Sequence, residues 1–430
     1  MLVKSQAGRY ACLSLDLTRI ECCVTEAYAE NDQITPIVAD YFSIEQVIWA
    51  RPKQPFVVRY RGQLTGDSAQ AHEALTKALA PLKLVPLFPE EGRDQIIQIV
   101  DRMPEPRPAN PWINLVLFII TLLSVIFAGV LYSYDGPAPA DTSGWIALLT
   151  NNFDSGIPFA VSMLAILLAH EFGHYLAGRY HKTAVTLPYF LPFPFSPLGT
   201  LGAFIQLREP PRNKRVLLDI GLAGPLAGLV VAIPVLLYGL SLSEVSSLPE
   251  FVPPGQAFSL EGNSILYLLA KYIVHGQWLP APADFGGMSP LLYWVRYFFT
   301  GLPTPLGGTD ILMHPIAWAG WAGLLVTALN LIPARQLDGG QLLYSLFGNR
   351  ARRLLPFILI GLAAMGFFWS GWFLWVFLIM LMGSQHAQPL DQITKLDTKR
   401  KLLAVLGLII FILAFTPVPL RVLQGPFFGP

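Results

Sequence analysis

From Trp112 onward the chain carries apolar segments as long as a lipid bilayer is thick, and nothing else in it limits the fold so strongly. A hydrocarbon core of about 30 Å takes about 20 apolar residues in a helix. Residues 112–134, 157–178, 216–240, 312–333 and 402–420 each suit that length. Composition agrees, at 53% hydrophobic and 13% charged residues, where globular chains carry charge at roughly a quarter of positions. The 29 basic and 28 acidic residues nearly cancel, which leaves no electrostatic footprint for nucleic acid. A disordered chain and a disulfide-stapled secreted domain are excluded too. The only cysteines, Cys12, Cys22 and Cys23, lack zinc-finger spacing and read as buried or incidental thiols.

Residues 354–383 are free of charge and would span about 45 Å as one helix, long for one crossing and short for two. Charge decides the case, because cytoplasmic loops carry excess Lys and Arg. Breaking the segment at Trp369-Ser370-Gly371-Trp372 puts fourteen basic residues inside and three outside. The expectation is therefore a polytopic α-helical membrane protein of about seven transmembrane helices, with the N-terminus cytoplasmic and the C-terminus outside. In the loop 241–311, Ile265–Val274 reads as an interfacial helix.

Residues 1–108 differ in character and hold twelve of the basic residues. Phe56–Arg61 alternates like a strand, Asp67–Leu82 has a helical apolar stripe, and short strands follow around Leu84–Phe88 and Gln95–Val100. This predicts a small N-terminal α+β soluble domain, closed by the linker Pro104-Glu105-Pro106-Arg107-Pro108. Residues 109–430 form the membrane-embedded core. The first residues lack the apolar run of a signal peptide and an Arg/Ser-rich transit segment, so a bacterial cytoplasmic membrane is expected.

The chemistry centres on His170-Glu171-Phe172-Gly173-His174 in the second apolar segment. Four-residue spacing puts both imidazoles on one helix face, where they can share a metal. Glu171 projects from the neighbouring position and can take a proton from water on that metal. Ionisable groups in an apolar span are costly unless paired, hydrated or metal-bound, which favours a functional reading over a polar cluster that only ties helices together.

Catalytic zinc usually has three protein ligands. A candidate third is Asp338, in Asn330-Leu331-Ile332-Pro333-Ala334-Arg335-Gln336-Leu337-Asp338-Gly339-Gly340. The second and fourth segments run in the same direction, so both motifs approach one depth; the bland alternative for Asp338 is a helix cap. Asn330 needs a partner for its amide, and a substrate backbone would supply one. Pro333 breaks the helix there, which is tolerated at membrane depth where the backbone is sheltered or lines a cavity.

The two motifs together resemble the site-2 protease family, intramembrane zinc metalloproteases with a HExxH motif and a later Asn-x-x-Pro-x-x-x-Leu-Asp-Gly motif. Both match position by position, and Gly224-Pro225-Leu226-Ala227-Gly228 resembles that family's Gly-Pro helix. The resemblance implies one zinc ion per chain on His170, His174 and Asp338, Glu171 as catalytic base, and Asn330 holding unwound substrate. The N-terminal domain, with Arg61-Gly62-Gln63-Leu64, resembles the plastid and cyanobacterial subgroup; Gln63 and Thr65 replace that subgroup's Asn and Arg.

Leu187–Leu207 is too proline-rich for a helix and too apolar for a solvated loop, so it reads as a re-entrant or interfacial hairpin. Its stretch from Gly199, through Ala203 and Ile205, offers a strand edge that could bind extended substrate by main-chain hydrogen bonds. The partners implied are transmembrane protein substrates, the lipid bilayer and a regulatory partner for the N-terminal domain. His72, His275 and His386 are read as surface or interfacial, His181 as solvated, and His314 as a helix-end residue. Competing readings are a transporter that uses the histidines as a transit site, and an inactive client-binding scaffold.

Overall fold

The computed structural model describes residues 32–51, 54–92, 94–101, 110–134, 136, 139–253, 257–334, 337–381 and 388–424. The three cysteines, the Pro104–Pro108 linker and His386 lie outside the described residues. The chain divides into two compact units.

The first unit takes residues 1–105 together with two short stretches from later in the chain, 212–214 and 389–395. Its elements are α1 (Ile34–Ala39), β1 (Phe42–Trp49), β2 (Val58–Leu64), α2 (Ser68–Leu79), β3 (Leu84–Leu87), β4 (Glu90–Glu91) and β5 (Asp94–Asp101). The sheet is antiparallel in the order β1-β2-β5-β3, with β4 on the end of β5. Asp67 caps α2 by accepting from the Ala69 and Gln70 amides. The helix buries Ala71, Leu75 and Leu79 against Val58, Tyr60, Ile97 and Ile99. His72, expected at the surface, shares that buried face and is 4% exposed. Its ring bonds to the Pro86 carbonyl at 3.0 Å. Burial pulls its pKa below the ordinary value, the nearby Asp391 opposing.

The second unit opens with α3 (Pro111–Tyr132), α4 (Thr142–Asn151) and α5 (Phe153–Tyr180). Next come β6 (Tyr189–Pro192), β7 (Thr200–Phe204) and α6 (Lys214–Ser241). Then follow β8 (Glu244–Ser247), β9 (Ala257–Glu261), α7 (Ile265–His275), α8 (Pro290–Thr300) and β10 (Thr309–Leu312). The rest is α9 (Pro315–Asn330), α10 (Asp338–Phe347), α11 (Leu355–Met365), α12 (Gly371–Leu381), α13 (Thr398–Ala414) and β11 (Leu420–Gln424). Among the described residues, α3, α5 and α6 are long and apolar enough to cross a membrane.

The seven expected crossings therefore appear only in part. Segment 354–383 does break at the tryptophans, but into two helices of 11 residues, each about 17 Å long. Segments 312–333 and 402–420 give shorter helices than expected. Residues 309–312 pair with β8 as a strand, and the chain after Ala414 turns at Pro417 and Pro419 into β11.

Strand pairing sorts the helix ends. β11 pairs with β9, so the far end of α13 lies beside the loop that joins α6 to α9. Lys271 on α7, fully buried, donates to Glu261 at the end of β9 and to Asp310 in β10, each at 3.0 Å. The Tyr267 hydroxyl donates to Glu261 at 2.8 Å. Burial pulls the Lys271 pKa down, but the two carboxylates outweigh it and hold the ammonium charged.

The expected hairpin is β6–β7, antiparallel with Tyr189 opposite Phe204 and Phe190 opposite Ala203. It runs along α3, which meets its irregular backbone with polar side chains. Asn114 donates to the Leu187 and Pro188 carbonyls, Ser124 to Gly199 and Tyr132 to Pro197. Backbone outside helices at membrane depth has to be satisfied by protein in this way.

Candidate metal centre

α5 presents His170, Glu171 and His174 at the end where α6 begins, all of them buried. The two Nε2 atoms are 3.2 Å apart. Asp338, the first residue of α10, brings Oδ2 to 3.4 Å from His170 Nε2 and 3.2 Å from His174 Nε2. The geometry agrees with zinc: donors about 2.0–2.1 Å from a tetrahedral ion sit about 3.3–3.4 Å from one another. Among the described residues this is a group of three side chains able to hold a metal, with donor atoms within 4.8 Å of one another.

The orientation of His174 comes from a backbone atom. Its Nδ1–H donates to the Ile220 carbonyl at 2.7 Å, which leaves the Nε2 lone pair facing the other donors. One residue earlier, Asp219 accepts two bonds from Arg400 at 2.6 and 2.9 Å and pairs with His181 at 3.0 Å. His181, which caps α5, is thus paired rather than solvated. Together these contacts pin the second turn of α6 to α13 and to the end of α5, and so hold the carbonyl that aims His174.

Two glycines make room. A Cβ on Gly224 would collide with the His174 imidazole, including Nε2. A Cβ on Gly339 would collide with the Leu331 carbonyl, so the turn from α9 into α10 closes only around glycine. Gly224→Ala should push the imidazole off its carbonyl and weaken zinc binding about 10–100-fold, the range for losing an orienting contact. Competition against a chromophoric chelator measures this; affinity equal to the wild type would remove Gly224 from the site.

Asn330 ends α9, with Nδ2 3.2 Å from His170 Nε2. The Glu171 carboxylate lies near the Ile205 backbone N–H, and its Oε2 is buried without a hydrogen-bond partner. An orphaned carboxylate oxygen beside three metal-capable donors is a place for water. On the other side of the strand the Gln206 carbonyl accepts from Thr186. Backbone direction alternates along a strand, so Ala203 shares the Glu171-facing edge with Ile205.

Gly199 is not brought to this edge. It forms the hairpin turn against α3, at φ +70°, with its carbonyl bonded to Ser124 and Phe193. His314 caps α9, accepting from Ile316, at the opposite end of that helix from Asn330. The sequence reading did not find the Ile220 carbonyl, which carries no side-chain signal, or the Asp219–Arg400 pair. Asn114 and Ser124, polar residues within an apolar helix, were legible signals for the hairpin contacts.

The family model described as peptidase family M50 matches residues 158–374. The chain is 28% identical over 333 residues to "Probable zinc metalloprotease EGY1, chloroplastic" of Arabidopsis thaliana, covering 73% of this chain and 55% of that protein. It is 30% identical over 343 residues to the protein of that name in Oryza sativa subsp. japonica, covering 74% and 52%. To "Probable zinc metalloprotease EGY2, chloroplastic" of Oryza sativa subsp. indica it is 26% identical over 380 residues, covering 84% and 62%. The chain thus spans 52–62% of the length of these relatives. No solved structure matches it. The relatives' names overturn the expected bacterial cytoplasmic membrane, since they point to a plastid membrane. That expectation rested only on the composition of the first residues.

Proposed function

The chain belongs to peptidase family M50, and from that premise we propose that it is a zinc metalloprotease hydrolysing peptide bonds within or near transmembrane segments of membrane proteins. The observation that carries this reading is the triangle of His170, His174 and Asp338 donors, 3.2–3.4 Å on each edge, with the unpartnered oxygen of Glu171 close by. His170, His174 and Asp338 would hold one zinc ion. When bound, zinc supplies a Lewis acid that brings the pKa of water toward neutrality and polarises the scissile carbonyl.

The remaining work falls to the chain. Glu171 takes the proton from the attacking water and passes it to the leaving amine. The carboxylate lies near the Ile205 N–H, at the strand edge. Substrate lies extended along that edge, its main chain bonded to Ala203 and Ile205, while Asn330 binds a substrate carbonyl from the far side. An extended segment is required, because a helix ties up its own carbonyls, so substrates should be rich in helix-weakening residues.

The finer topology belongs to the same proposal: seven crossings, with α11 and α12 as two short ones. Trp372, at the start of α12, donates to the Pro417 carbonyl beyond the end of α13, which supports a hairpin tip at that level. The N-terminal unit, residues 1–108, would dock a regulatory partner.

The test is metal content and cleavage together. Chain purified without chelators should carry one zinc by mass spectrometry of the metal, and His170→Ala, His174→Ala and Asp338→Ala should each lose it. A reconstituted transmembrane substrate should be cut, spared after 1,10-phenanthroline, and cut again when zinc is returned. Cleavage indifferent to stripping would refute the reading.

A further inference from the structure

Stretches 212–214 and 389–395 are built into the N-terminal unit by hydrogen bonds and apolar packing. Phe88, fully buried in its core, donates its N–H to the Leu390 carbonyl at 2.8 Å and accepts from the Gln392 N–H at 2.9 Å. Between these two, the Asp391 N–H donates to the Arg212 carbonyl at 2.9 Å, so Asp391 bridges in parallel to both Phe88 and Asn213. Its carboxylate, also fully buried, accepts from the Ile393 and Thr394 amides at 3.0 Å each and from the Thr394 hydroxyl. Ser68, at the start of α2, donates to Thr394 at 3.1 Å, and Lys214 pairs with Glu90 at 3.1 Å. Ile393 packs on the same apolar core.

Each stretch leads straight into a helix that serves the metal centre. Lys214 opens α6, and Ile220 follows about 9 Å along the same helix at 1.5 Å per residue. No Pro or Gly stands between them to bend it. The second stretch runs on to Asp397, just before α13, and Arg400 bonds both Asp397 and Asp219. Leu396, the next residue after that stretch, packs with Leu218 and Leu222 of α6. Helices fray from their ends, where backbone groups have no partner within the helix. The Ile220 carbonyl, in the second turn of α6, therefore keeps its place only while the first turn is held.

We infer, on the reading of His170, His174 and Asp338 as zinc ligands, that the N-terminal unit sets the metal centre through these two stretches. Phe88, Asp391 and Lys214 are then positioning residues for His174. They act through the starts of α6 and α13 and through the Ile220 carbonyl that aims the imidazole. Partners that orient a ligand without touching the metal decide how tightly it is held. A protein bound to the N-terminal unit would thus reach the metal without touching substrate, because a shift at Phe88 or Asp391 passes along the chain into α6 and α13.

Asp391→Ala in the full chain removes the acceptor that folds the second stretch. Zinc affinity, read by chelator competition, should fall about tenfold, the low end for losing a contact that orients a ligand. Cobalt taken up in place of zinc should show shifted visible bands, with circular dichroism unchanged. In the metal-free chain, hydrogen exchange at residues 216–222 and 398–402 should rise. Asp391→Asn keeps an oxygen for the Ile393 and Thr394 amides and should restore most of the affinity. Lys214→Met removes a single ion pair and should act in the same direction by a smaller factor, which reads the coupling even if Asp391→Ala does not fold. Exchange at 216–222 equal to wild type in the folded variants would overturn the coupling, whether or not the wild type holds zinc. Raised exchange with wild-type zinc affinity and cobalt bands would also overturn it, reducing the stretches to packing. A wild type that takes up no metal, with exchange responding as expected, would refute the zinc reading while supporting the link from the N-terminal unit to α6.

Discussion

Glu171→Gln should lower the rate of peptide-bond cleavage by about 10²–10⁴-fold, the usual worth of a positioned general base, while leaving zinc bound. Glutamine keeps the size of the side chain and its place beside the Ile205 N–H. What it loses is the ability to take a proton. His170, His174 and Asp338 do not depend on that charge for their placement: Ile220 orients one imidazole and the α9–α10 turn places the carboxylate. Single-turnover cleavage of a reconstituted substrate, with metal analysis of the same sample, reads both halves. Cleavage within about threefold of wild type with zinc present would take Glu171 out of the reaction. The same variant should accumulate uncut membrane-anchored fragments in membranes that contain it.

Lys271→Met should destabilise the end of the second unit away from the metal centre by about 3–5 kcal/mol, the range for breaking a buried ion pair on one side. The ammonium is fully buried between Glu261 and Asp310, which are 5% and 3% exposed. Removing it leaves two carboxylates 3.0 Å from a position that has become apolar. Hydrogen exchange should rise across β9, β10 and β11, because Lys271 joins two separate strand pairs. The triple variant Lys271→Met, Glu261→Gln, Asp310→Asn should recover much of the loss, since neutral amides are cheaper to leave in place than charges. If the single and triple variants exchange alike, the cluster is not an electrostatic clamp.

The sequence was most legible where local chemistry and spacing decide structure. His170 and His174 could be placed on one face because four residues make one helical turn. Asp338 could be matched to them in depth from the order of apolar segments. The hairpin at 189–204 was readable because proline excludes helix from an apolar stretch. The misses are non-local. β10 was left in the loop 241–311, with only its last residue, Leu312, taken into a membrane segment, because its partner β8 lies more than sixty positions away. β9 depends on a partner near the chain's far end. Helix α8 was missed even though Ser289 and Pro290 announce its start. His72 was misjudged by residue type, although Leu75 and Leu79, three and seven residues on, put it on the apolar stripe of α2 and mark it as buried.

The distance along the chain between His174 and Asp338 has a consequence for biogenesis. Two donors and the carbonyl that aims one of them are made early, but the third is synthesised only after the loop between α6 and α9, and α9 itself, have been completed. An ion held by two imidazoles alone is weakly kept. Tight capture therefore waits until the α9–α10 turn has docked, and metal retention becomes a checkpoint for correct assembly. With the proposed activity, a chain wired in this order would stay inert during its own insertion, when unfolded neighbours are most vulnerable to it.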